Sequence, residues 1–183
     1  MLRAAGVFMA QSPKMSMSTL RFPVAVTFRR TPLANRWVSE RWEPVAVEAE
    51  SPPAPAAPIK VSDDAAGTCW RFGGQSLELH RSEAEGYHLN LTAPDPKVFV
   101  MWRMADTGVL PPVHPVIVTV SYNQAARMLD GGEQVDAVPL PVEILEWMKP
   151  FVAEHYKPEV RKKVRRNDPF RDEAERQRRG PQR

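Results

Sequence analysis

The chain has 183 residues, of which 43% are hydrophobic, so it can form one folded domain with a core. Its one cysteine excludes an intramolecular disulfide framework and a zinc site made of cysteines alone. The net charge of +3 divides into +6 on residues 157–183 and −3 on the rest, so the basic character does not indicate a nucleic-acid-binding domain.

The first regular pattern begins at Leu20, and we expect residues 1–19 to be a disordered N-terminal extension. Residues 22–28 alternate between large apolar side chains and smaller ones, which predicts a half-buried strand. A turn at residues 31–35 follows, and residues 37–47 have the composition of a second strand.

Residues 48–67 contain a Pro/Ala-rich run with almost no side chains to bury. Such a composition does not offset the entropy lost on ordering the chain, so we expect a disordered insert within the domain. A domain boundary is the alternative, which we disfavour because the preceding segment is too short to form a core alone.

Apolar or alternating segments after the insert predict further strands of an antiparallel sheet. These segments are residues 69–72, 77–80, 87–91, 98–102 and 116–120. Gly73-Gly74 is typical of a hairpin turn between two of these strands.

The pattern then becomes helical. Ser121 and Gln124 have the spacing of a capping box at a helix start, and Gly131-Gly132 has the composition of a helix end. A second helix is expected to begin near Pro141. Residues 20–156 therefore predict one β-rich domain of the α+β class, an antiparallel sheet or small barrel followed by two C-terminal helices.

Residues 157–183 form a basic tail that we expect to be disordered. The tail has only Phe170 available for base stacking, so we do not expect nucleic acid as its partner. No apolar run approaches the roughly 20 residues needed to span a bilayer, and we expect no membrane association and a cytoplasmic location.

The common catalytic motifs are absent: the chain contains no GxGxxG, no Walker loop, no HExxH, no CxxC and no GxSxG. We therefore assign no catalytic residue and expect no cofactor. The sequence favours a non-enzymatic protein while leaving an enzyme open.

The weak metal candidates are His80 and His88. If residues 77–80 pair with residues 87–91 in a hairpin, the two imidazoles lie opposite each other, close enough to share a metal. The alternative is a solvated polar face, which we favour because no third ligand is evident, so we assign no metal site.

Residues 29–42, hereafter the Arg/Trp segment, contain four arginines and two tryptophans around one turn. Arg and Trp dominate the energetics of protein interfaces, and Arg binds phosphate or carboxylate through its planar guanidinium. In the alternative interpretation both tryptophans are core residues and the arginines pair with Glu40 and Glu43. The candidate partner- or anion-binding residues are Arg30, Asn35, Arg36, Trp37, Arg41 and Trp42.

Several blocks in this sequence resemble, in order, an uncharacterised bacterial domain-of-unknown-function family. The blocks are residues 32–37, 39–42, 83–87, 89–91, 99–103, 118–122 and 131–136. Members of that family are typically encoded beside formate dehydrogenase and its maturation factors, and some relatives carry a label of molybdenum-cofactor nucleotide biosynthesis.

The resemblance implies a cytoplasmic accessory protein that assembles or regulates a molybdenum-dependent formate dehydrogenase. Its partner would be a subunit of that enzyme or a maturation factor, contacted through the Arg/Trp segment. The alternative function is an anion- or cofactor-binding module in which Arg30, Arg36 and Arg41 hold phosphate, pterin or a nucleotide.

Overall fold

The computed structural model of the protein describes residues 20–52, 57–65, 67–105 and 108–158. The strands there are β1 (Leu20–Pro32), β2 (Glu40–Ala49), β3 (Ile59–Asp64), β4 (Gly67–Leu79), β5 (Lys97–Met104), β6 (Val113–Thr119) and β7 (Val135–Pro139). The helices there are α1 (Ala84–Leu91), α2 (Tyr122–Asp130) and α3 (Val142–His155), and a 3₁₀ turn at Arg81–Glu83 precedes α1. The extension predicted for residues 1–19 and positions 159–183 of the predicted tail lie outside the described residues.

The strands form two antiparallel sheets, one with the order β2-β1-β4-β3 and the other with the order β6-β5-β7. Phe28 of β1 packs against Trp102 of β5 with ring centroids 5.5 Å apart, so one core lies between the sheets. The predicted α+β class is confirmed. The alternative of a small barrel is wrong, because the strands form two separate sheets and do not close into one barrel.

The period of two in β1 determines which side chains enter the core. Val24, Val26 and Phe28 are fully buried, as their alternation predicted. The predicted hairpin turn at Gly73-Gly74 is wrong, since both glycines lie inside the long strand β4. Val24 pairs with Gln75 and Val26 with Phe72, so the two glycines oppose one residue of β1 and form a bulge.

Parts of the expected disordered insert are regular. Residues 59–64 form strand β3, which pairs with the first half of β4. At the other end of the insert, Glu50 is buried, and its carboxylate accepts a hydrogen bond from the Gly74 N–H at 2.8 Å and lies 3.0 Å from Arg71. Backbone pairing of residues 59–64 and the contacts of Glu50 order these parts of the segment despite its composition; residues 53–56 and 66 lie outside the described residues.

The strand predicted at residues 87–91 is wrong, because these residues belong to helix α1. The Tyr87 hydroxyl accepts a hydrogen bond from the His80 N–H and donates one to the Glu78 carbonyl. The Asn90 side chain bonds the backbone of Lys97 and Val120. The apparent alternation in the sequence thus reflects tertiary contacts of a short helix.

Helices form at the two predicted C-terminal positions, with the unpredicted strand β7 between them. The Ser121 hydroxyl accepts a hydrogen bond from the Gln124 N–H at the start of α2, as the capping box predicted. Gly132 ends α2 at a φ of 81°, a left-handed conformation that glycine adopts without strain. None of the helices in the described ranges has the length and apolar character needed to cross a bilayer.

Candidate functional site

The Arg/Trp segment is a hairpin that joins β1 to β2. Pro32 pairs with Glu40 at the end of the two strands, and residues 33–39 form the connecting loop. The Leu33 N–H donates a hydrogen bond to the Ser39 carbonyl at 2.9 Å, which closes the loop at its base. The loop residues are exposed and extend beyond the last strand pair.

Asn35, Arg36 and Trp37 form the loop tip. The Asn35 side-chain oxygen accepts a hydrogen bond from the Trp37 N–H at 2.8 Å, which stabilises the local turn. The Arg36 guanidinium carbon lies 4.8 Å from the Trp37 ring centroid, in the range of a cation–π contact. Trp37 is 81% exposed, so most of its indole is available to a binding partner.

Trp42 has the opposite environment. It is only 6% exposed and belongs to the core between the sheets. Its indole N–H donates a hydrogen bond of 2.8 Å to the Glu40 carboxylate. This bond is the main cause that lowers the pKa of Glu40; burial opposes it, and the hydrogen bond from Arg30 adds to it.

Three of the four arginines of the segment form salt bridges with glutamates. Arg30 donates to Glu40 at 2.5 Å, while Arg29 and Arg41 bind the two oxygens of Glu43 at 2.7 and 2.8 Å. Within the residues that the structure describes, Arg36 forms no salt bridge. An anion would therefore have to compete with carboxylates for Arg30 and Arg41, whereas Arg36 is free to bind one.

The six candidate residues thus separate into two groups. Asn35, Arg36 and Trp37 lie together on the exposed tip. The other three, Arg30, Arg41 and Trp42, belong to the strands, where they pair with glutamates or enter the core. The sequence did not distinguish the two tryptophans, and each of its alternatives describes one of them.

A second exposed apolar surface, which sequence reasoning missed, lies at the β5–β6 loop. Met104, Val109 and Leu110 are all more than half exposed. In the sequence, Val109 and Leu110 form an apolar pair between Gly108 and Pro111, outside any strand pattern.

The β5–β6 loop lies against the middle of β4, because Ala105 and Val109 line one cavity with Phe72 and Gln75. Both β1 and β5 begin near α1, because Tyr87 bonds the end of β4 beside the start of β1, and Asn90 bonds Lys97 at the start of β5. Phe28 contacts Trp102 near the far ends of β1 and β5.

The histidine pair is not brought together as predicted. His80 follows β4, with its ring 3.5 Å from the Glu78 carboxylate, whereas His88 lies in α1 and stacks on Tyr156 at 3.9 Å between ring centroids. The predicted hairpin pairing is wrong because one of its strands is a helix. Among the described residues there is no group of three or more His, Cys, Asp or Glu side chains arranged to hold a metal ion.

Residues 23–166 match the model of one protein family, whose description is "Protein of unknown function (DUF3305)". The chain belongs to the DUF3305 family. The match begins in β1 and continues past α3, so it covers both sheets and all three described helices of this DUF3305 protein. No curated protein and no solved structure shows significant similarity to it.

Proposed function

We propose that this DUF3305 protein is a non-enzymatic accessory protein that binds a protein partner through the tip of the β1–β2 loop. The observation that carries the proposal is the exposure of Trp37, which is 81% accessible although the loop around it is held by hydrogen bonds. A pre-positioned aromatic ring loses little conformational entropy when it enters a partner's pocket.

The neighbours of Trp37 support the same function. Arg36 stacks on the indole and has no carboxylate partner among the described residues, so it can pair with an acidic group beside the pocket that receives the ring. Leu33 and Val38 extend the apolar surface on either side of the tip. A tryptophan and an arginine within an apolar rim have the composition of an interface hot spot.

The first partner to test is a component of a molybdenum-dependent formate dehydrogenase, either a subunit or a maturation factor, in the cytoplasm. The support for this partner is the resemblance of the sequence blocks to proteins encoded beside that enzyme. The chain then acts in assembly or regulation of the dehydrogenase, and no catalytic step is assigned to it.

Direct binding tests the proposal. Purified full-length chain is titrated with purified formate dehydrogenase subunits and maturation factors of the same host, and the dissociation constants are measured. Trp37→Ala and Arg36→Ala each weaken binding at least about tenfold, as expected of hot-spot residues. Leu129→Ala is the matched control, because Leu129 is an exposed apolar residue on α2, away from the tip.

Thermal unfolding of each variant separates a lost contact from a lost fold. The proposed site requires Trp37→Ala to lose affinity while its melting temperature stays within a few degrees of wild type. Equal affinity of wild type and Trp37→Ala for a component that binds would refute the tip as the contact. Absence of binding to every component would refute the dehydrogenase as partner.

A further inference from the structure

We propose that a cavity between the 3₁₀ turn before α1 and the end of α3 binds a phosphate group. The cavity has a volume of about 270 Å³. Its lining consists of Arg81, Ser82, Ala84, Glu85, His155, Tyr156 and Lys157. It is separate from the tip of the β1–β2 loop, so this site stands or fails independently of the proposed partner binding.

The distribution of salt bridges singles out this cavity. Among the lysines and arginines of the described residues, all except Arg36, Arg81 and Lys157 lie within 4.0 Å of a carboxylate. Two of these three unpaired cations, Arg81 and Lys157, line the same cavity. Neither cation forms a salt bridge with a carboxylate of the described residues, so both are available to an anion in the cavity.

The donor set suits a phosphate better than a single carboxylate. Arg81 offers a planar fork of N–H donors, and Lys157 adds a compact ammonium group. The hydroxyls of Ser82 and Tyr156 add neutral donors beside these charges. A phosphate has three or more acceptor oxygens and up to two negative charges, so it can use both cations and the hydroxyls together.

Tyr156 gives the cavity a rigid wall. Its ring stacks on His88 of α1, and its N–H donates to the Val152 carbonyl at 2.9 Å. The neighbouring His155 ring packs edge-on against Phe151 at 4.4 Å. These contacts hold the end of α3 in place, so Lys157, the next residue, starts from an ordered position beside Arg81.

Glu85 is the one acidic side chain in the lining. Its substitution should change the affinity for phosphate in the opposite direction from substitution of the two cations. Its carboxylate opposes an anion in the cavity. Glu85→Gln therefore tightens phosphate binding, whereas Arg81→Gln and Lys157→Gln weaken it. A purely structural role of these residues would not move the affinity in opposite directions.

The test is a titration of the full-length chain with inorganic phosphate, followed by the amide NMR signals of Ser82, Glu85 and Tyr156 at constant ionic strength. We expect saturable shifts, a loss of affinity of at least about tenfold for Arg81→Gln, and a gain for Glu85→Gln. Lys60→Gln, which removes an exposed cation on β3 outside the lining, is the control and leaves the affinity unchanged.

Parallel titrations identify the ligand chemistry. Methyl phosphate that binds more tightly than inorganic phosphate assigns the site to a phosphate ester, and the reverse order assigns it to free phosphate. Acetate that binds as tightly as phosphate would overturn the assignment. The proposal also fails if the shifts do not saturate or if Arg81→Gln leaves them unchanged.

Discussion

The Arg36 guanidinium lies over the Trp37 ring, 4.8 Å from its centroid, at the tip of the β1–β2 loop. Five residues further along the chain, Trp42 is buried and bonds Glu40 through its indole N–H. One hairpin thus presents one tryptophan to solvent and commits the other to the core, and the two make different contributions to stability.

Substitution of the two tryptophans by alanine distinguishes these contributions. Trp37→Ala changes the free energy of unfolding by less than about 0.5 kcal/mol, because little of its surface is buried. Trp42→Ala lowers it by about 3–5 kcal/mol, because it leaves a cavity in the core. Urea denaturation followed by circular dichroism measures both values. Similar losses for the two variants would contradict the assignment.

The second prediction concerns the carboxyl of Glu40, whose pKa lies below its ordinary value of 4.5. Trp42→Phe removes the hydrogen-bond donor that is the main cause, so the pKa of Glu40 rises towards 4.5. Carbon-detected NMR titration of the carboxyl measures the change. Glu133, whose pKa is lowered mainly by a hydrogen bond from Arg103, is the internal control and does not shift.

The same pKa has a consequence for acid stability. A carboxyl whose pKa is lower in the folded than in the unfolded state stabilises the fold at pH values above its unfolded-state pKa. This contribution is lost as the pH falls through the folded-state pKa. The stability difference between wild type and Glu40→Gln is therefore complete above about pH 4.5 and shrinks at lower pH. A difference that grows towards acid pH would contradict this direction.

The third prediction concerns the close contact of α1 with the start of α2. A Cβ atom on Gly86 would lie 2.3 Å from the Ser121 hydroxyl oxygen, so Gly86→Ala forces the two helices apart. We expect a loss of about 1–3 kcal/mol in the free energy of unfolding. In a Ser121→Ala background the same substitution costs at least about 0.5 kcal/mol less, which a double-mutant cycle measures. Strict additivity would show that the two residues do not meet.

The fourth prediction concerns Asn90, which is buried and connects three backbone groups. Its amide donates to the carbonyls of Lys97 and Val120, and its oxygen accepts from the Lys97 N–H at 2.9 Å. Asn90→Ala leaves these groups without partners and lowers the free energy of unfolding by about 2–4 kcal/mol. Asn35→Ala, at the exposed tip, is the matched control and changes it by less than about 0.5 kcal/mol. Equal effects would contradict the role of Asn90.

Local patterns predicted strands β1 and β5 and the two C-terminal helices, because the information that specifies them lies within the elements themselves. The alternation of Val24, Val26 and Phe28 and the cap at Ser121 are examples. The errors occur where tertiary contacts override the local pattern. Residues 87–91 alternate like a strand, but Tyr87 and Asn90 make their hydrogen bonds only to distant segments of a folded chain.

The positions of the candidate residues in the fold followed from the sequence only in part, for the same reason. Composition located the Arg/Trp segment, but burial separates Trp37 from Trp42, and burial depends on the opposite sheet. The proposed phosphate cavity had no signal in the sequence, because Arg81 and Lys157 are far apart in the chain and only the packing of α1 on α3 brings them together.

Because Trp37 is exposed, its intrinsic fluorescence can report binding at the tip without an added label. Of its five tryptophans, Trp42 and Trp102 are buried, Trp70 and Trp147 are partly buried, and Trp37 is accessible. A collisional quencher such as iodide therefore acts mainly on the emission of Trp37. Shielding of this ring by a partner would lower the quenching constant, so complex formation can be followed in the unlabelled wild-type chain.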